Sequence, residues 1–167
     1  MGKAVSFVQN QVMSFSSQQK SAFSKLSFLC SRTEKCSSEV VEKLRKLGLT
    51  DEEALPVLEK LKADQYVDDG RFARAYVKDK FRFNHWGRQK IEYMLRSKRI
   101  SSDIISTALD EIEVENYSVE LKKILLEKSG TIKAKAAFDK RNKLMRFALG
   151  RGFESGEIYK ALKELDF

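Results

Sequence analysis

Leu44, Leu49, Ala54, Val57, Leu58 and Leu61 recur 51 residues later as Leu95, Ile100, Ile105, Ala108, Leu109 and Ile112. A further shift of 53 gives Ala148, Phe153, Ile158, Ala161, Leu162 and Leu165, and Val40, Ile91 and Leu144 stand in the same frame. A chain that repeats its apolar positions this way folds as copies of one unit. Within a copy the apolar residues fall three and four apart, which is helical spacing, and no segment alternates long enough for a strand. Each copy reads as three helices, with a tight turn before Leu49, Ile100 or Phe153. A unit of roughly 50 residues is small for a core of its own, so its neighbours must pack on it. The expected fold is all-α: three tandem three-helix, helix-turn-helix-like repeats forming an elongated, curved array. The expected boundaries are a loose Ser- and Gln-rich tail over 1–20, then repeats at 21–67, 68–116 and 117–167.

Local signals place several helix ends. Thr50 and Glu53 have capping-box spacing, so a helix begins near Asp51. Pro56 lies a turn inside it, which predicts a kink or a later start. Ser101 is placed to cap the helix that follows it, and Asp68 or Asp69 the helix that carries Phe72, Ala73, Tyr76 and Val77. Gly48, Arg99 and Gly152 occupy the equivalent turn, where a left-handed cap fits glycine, so the middle turn must tolerate a side chain.

Charge is unevenly spread. Lys and Arg number 32 against 24 Asp and Glu, for a net charge of +8. Residues 70–100 hold ten basic side chains and two acids, residues 101–116 five acids and no base, and residues 121–152 ten basic side chains and two acids. Arg71, Arg74, Lys78 and Arg82 are spaced to line one helix stripe. Arg88 and Arg96 extend this basic sector, and Lys133, Lys135, Lys140, Arg141, Lys143 and Arg146 form a second. Like charges in a row repel, and a polyanionic or acidic partner offsets that cost. Local pairs such as Arg88 with Glu92 are the bland alternative.

Catalytic and metal chemistry find little support. Cys30 and Cys36 lack metal-site spacing and cannot form a disulfide framework, and His85 is the only histidine. No metal, cofactor or catalytic residue is expected. The glycines at 150, 152 and 156 miss the dinucleotide fingerprint, and no phosphate-binding loop occurs. No apolar run reaches the length of a membrane span, and the first 20 residues hold no long apolar stretch of a signal peptide. The reading is a cytoplasmic, non-enzymatic protein with reduced thiols and no membrane partner.

At Tyr66-Val67-Asp68-Asp69-Gly70-Arg71-Phe72-Ala73 the sequence resembles the RecX family, bacterial regulators of the RecA recombinase. The match continues through Tyr76, Gly87, Ile91, Leu95, Lys98, Ile100, Ala108 and Leu109, and departs at Arg99, where the family has glycine. The resemblance spans about residues 21–165. It implies a monomeric modulator that binds RecA and its filament on DNA and inhibits ATP turnover and strand exchange, and so acts in recombination, DNA repair and the SOS response. Asp68, Asp69, Phe72, Ala73, Tyr76, Gly87, Ile91, Leu95, Ile100 and Leu109 carry the family pattern. Phe72, Ala73, Tyr76, Leu95 and Leu109 are expected in the core. The competing reading is a direct helix-turn-helix-like module for single- or double-stranded DNA.

Overall fold

The computed structural model describes residues 14–134 and 136–167. Its described residues are all-helical: α1 (Ser17–Cys30), α2 (Ser37–Lys46), α3 (Asp51–Ala63), α4 (Asp69–Arg82), α5 (Arg88–Ser97), α6 (Ser102–Asp110), α7 (Val114–Thr131), α8 (Ala137–Arg151) and α9 (Ser155–Glu164). They group as three successive sets of three. All repeat-frame residues are buried except Leu109 and Leu165, which are half-buried.

The chain divides into two compact units, residues 1–72 with Lys98–Ile100, and residues 73–97 with 101–167. In the first, Ala22, Leu26 and Cys30 of α1 close on Val40 and Leu44 of α2 and on Ala54, Val57, Leu58 and Leu61 of α3. In the second, Phe81 stacks on Tyr117 with centroids 5.8 Å apart, and Tyr117 lies 5.0 Å from Phe153. Leu121, Ile124 and Leu125 of α7 are buried there with Leu144, Ala148, Ile158 and Leu162.

The tail assigned to residues 1–20 gives way to α1 at Ser17. Ser16 and Gln19 close a capping box there, and Phe15 is buried. Residues 1–13 lie outside the described part. Thr50 and Glu53 form the expected capping box, so α3 starts at Asp51 with Pro56 inside it, not after it. Ser101 stands at the N-cap of α6 without a side-chain bond to the backbone.

Asp68 and Asp69 both cap helices, but different ones. Asp68 accepts from Arg71 N at 2.9 Å and caps its own helix, α4. Asp69 accepts from the Ser37 backbone N–H and hydroxyl, each at 2.7 Å, and so caps α2. The Ser38 hydroxyl donates to Lys98 O at 2.6 Å. The same arrangement recurs one repeat on. Arg88 N at the start of α5 donates to the Tyr117 hydroxyl at 3.1 Å, Gly87 N to Arg151 O at 2.8 Å, and Gln89 N to Gly152 O at 3.1 Å. Each middle helix thus has its N–H groups satisfied by residues of the following repeat, the acceptor side chain being a carboxylate in one case and a phenol in the other.

The three equivalent turns share one backbone conformation, with φ of 87° at Gly48, 61° at Arg99 and 87° at Gly152. At Gly87 a Cβ would overlap the backbone of Gly152 and Phe153. Gly87→Ala should therefore cost about 1–3 kcal/mol or more through overpacking. Arg99→Gly should add up to about 1 kcal/mol by relieving left-handed strain. Thermal melts of the two variants check both signs.

Candidate partner-binding surface

The stripe on α4 divides by role. Arg71 is committed to the fold: its Nε lies 2.6 Å from Glu34 Oε1, and its Nη2 reaches the carbonyls of Gln65 at 3.2 Å and Tyr66 at 3.5 Å. The Glu34 hydrogen bond raises the Arg71 pKa further above its ordinary value. Arg74 sits 3.7 Å from Glu111. Lys78 and Arg82 are exposed and have no ion-pair partner among the described residues.

Arg74, Lys78 and Arg82 line a groove of about 480 Å³. Val77, Phe81, Ile112 and Val119 give it apolar surface, and Glu111, Glu113, Asn116 and Glu120 give it an acidic side. The acid-rich stretch at 101–116 thus does more than separate two basic sectors: Glu111 and Glu113 face the cations. The sequence signal was its charge of −5, but its position depended on how α7 folds back. Glu120 also holds His85, whose Nδ1 lies 2.6 Å from Oε1. Tyr117 donates to Glu154, and burial together with that carboxylate pushes the phenol well above its ordinary pKa.

The other basic residues are mostly occupied. Arg88 donates to Ile112 O at 2.8 Å and lies 4.1 Å over the Tyr117 ring, so it serves the fold. Glu92 is held by Arg96, at 2.9 and 2.7 Å, and not by Arg88 as the spacing suggested. Arg141 donates to Phe167 O at 2.6 Å and stacks 5.0 Å from the Tyr159 ring. Lys140 lies 5.0 Å from the Phe167 ring, and Lys143 binds Asp139 at 2.7 Å and Lys133 O at 2.9 Å. Lys133 and Arg146 are exposed, and Lys135 lies outside the described residues. The second basic cluster is in large part a set of ties within α8 and to the chain end.

The family-pattern residues hold the fold. Phe72, Ala73, Ile91, Leu95 and Ile100 are buried, and the Lys98 ammonium sits 5.7 Å from the Phe72 ring. Tyr76 and Leu109, expected in the core, are half-buried. Among the described residues no three His, Cys, Asp or Glu gather to hold a metal, and no helix is long and apolar enough to cross a membrane.

Family models for the second and third three-helix domains of RecX match residues 68–109 and 120–162. The chain belongs to the RecX family. It is 36% identical over 145 residues to the regulatory protein RecX of Clostridium acetobutylicum, covering 84% of this chain and 66% of that one. It is 32% identical to that of Prosthecochloris aestuarii, covering 76% and 82%. A crystal structure of a regulatory protein RecX superposes with a TM-score of 0.80 at 26% identity, over 88% of this chain and 72% of that one. RecX from Lactobacillus salivarius superposes at 0.82 with 21% identity, over 89% and 97%, a likeness of fold. The chain spans 47–66% of the length of the first Clostridium and Oceanobacillus relatives that it matches. The RecX pattern seen at Asp68–Ala73 opens the first matched segment, and the departure at Arg99 falls on the strained turn.

The split of the RecX basic stripe is testable. Arg71→Ala should lower stability by about 1 kcal/mol, since it frees three acceptors in a half-exposed setting. Lys78→Ala and Arg82→Ala should leave stability within about 0.5 kcal/mol of the parent. Denaturant titration checks all three.

Proposed function

We propose that this chain is a non-enzymatic regulator that binds the RecA recombinase and its filament on DNA, and slows ATP turnover and strand exchange. It thereby controls recombination and DNA repair in the cytoplasm. The observation that carries this reading, beside family membership, is the pair of uncommitted cations, Lys78 and Arg82. They stand on one helix face beside a groove with apolar and acidic walls. A surface with both signs of charge and exposed Val119 suits a protein partner, because complementary charge sets register while the apolar surface supplies affinity. Arg71, Arg88 and Arg141 serve the fold, so Arg74, Lys78 and Arg82 are the contact residues this reading favours, with Arg96, Lys133 and Arg146 at its margin.

The second reading is direct DNA binding by a helix-turn-helix-like unit. The three-helix repeats and the net charge of +8 favour it. It requires salt-sensitive DNA affinity without recombinase.

The deciding measurement is the ATPase of RecA filaments on single-stranded DNA with added protein. The parent should slow it. The triple variant Arg74→Glu, Lys78→Glu, Arg82→Glu should need at least about tenfold more protein for the same effect, at unchanged helicity. An unchanged ATPase at saturating parent protein would refute recombinase binding as the function.

A further inference from the structure

We infer that the surface of α4 and α5 around Trp86 is a stacking platform for the unpaired bases of single-stranded nucleic acid. The inference deepens the second reading above by naming its site, and it does not depend on recombinase binding.

The chain has one tryptophan, and the fold does not use it as core. Trp86 is half-buried in the loop between α4 and α5, with its backbone N–H donating to Lys80 O at 3.1 Å. The Lys90 ammonium lies 4.6 Å and the Lys80 ammonium 5.8 Å from its ring centroid, and Lys80 lies 5.3 Å from the Tyr76 ring. Three residues beyond each lysine stands a ring in solvent, Phe83 at 76% exposure and Tyr93 at 71%. Residues three apart on a helix are neighbours, so each ring adjoins its lysine. Single exposed rings are ordinary on protein surfaces; four rings interleaved with two ammonium groups are not.

Repeat symmetry shows that the fold does not require these rings. In the first repeat, 51 residues earlier, the positions of Tyr76, Phe83, Trp86 and Tyr93 hold Lys25, Arg32, Lys35 and Glu42. That repeat forms its three helices all the same. The rings are peculiar to the middle copy, and they lie in the sector with ten basic side chains and two acids. Of those acids, Asp79 sits 2.9 Å from Lys80 and Glu92 is held by Arg96.

Tyr76 and Lys80 are also turned away from the groove. Two residues along a helix is about 200° of rotation, so Tyr76 and Lys80 point roughly opposite to Arg74 and Lys78. The groove carries a wall of carboxylates, which would repel phosphate. The Trp86 surface offers π-faces for bases beside ammonium groups for the backbone. Duplex bases are already stacked on each other, so the fit is to single strands.

The test uses the full chain without recombinase. Trp86 emission is followed as a short oligodeoxythymidylate is added at low salt. Saturable quenching is expected. The double variant Phe83→Ala, Tyr93→Ala, with both side chains mostly in solvent, should keep its melting temperature and bind the oligonucleotide about tenfold or more weakly. Unchanged emission, unchanged affinity of the double variant, or equal quenching by duplex would each overturn the platform. So would a double variant that loses RecA but keeps the oligonucleotide, since the surface would then be a protein contact. Quenching without any effect on the filament ATPase would instead sink only the recombinase reading.

Discussion

The fold depends on the capping of its middle helices by residues from further along the chain. A helix leaves its first N–H groups without partners, and burying them unpaired costs far more than a typical hydrogen bond returns. Here α2 is capped by the Asp69 carboxylate, with Lys98 O taking the Ser38 hydroxyl beside it. At α5 the Tyr117 hydroxyl and the carbonyls of Arg151 and Gly152 perform the same task. The left-handed turns at Arg99 and Gly152 follow from this, since the chain must reverse sharply to present those carbonyls. Gly87 follows too, because only a residue without Cβ lets the two backbones meet.

This arrangement decides which cations are available for function. Arg71 and Arg88 sit at the junctions and spend their guanidinium groups on carbonyls, a carboxylate and a ring. Residues one turn or more from a junction, Lys78 and Arg82 in α4, keep theirs for solvent. A basic stripe that looks uniform along a helix is therefore graded in what it can bind.

The architecture was legible in the sequence because core positions obey a fixed spacing that survives substitution among Leu, Ile, Val, Ala and Phe. The capping box at Thr50 and the turn conformation at Arg99 were legible for the same reason, as both are set by residues close along the chain. The role of Asp69 was only half legible. A carboxylate before a helix signals capping, but nothing nearby says that the helix begins 32 residues earlier in the chain. The acidic side of the groove, the pairing of Glu92 with Arg96 and the ties of Arg141 to the chain end were hidden likewise. Each depends on a rotamer or on distant chain that periodicity does not encode.

Borrowed caps also impose an order on biosynthesis. When the ribosome has released only the first three helices, α2 still lacks Lys98, and a chain cut before residue 69 lacks its carboxylate as well. Lys98–Ile100 accordingly clusters with the first 72 residues and not with its own surroundings in sequence. The amino-terminal bundle must wait, incompletely satisfied, until about a hundred residues have emerged from the exit tunnel.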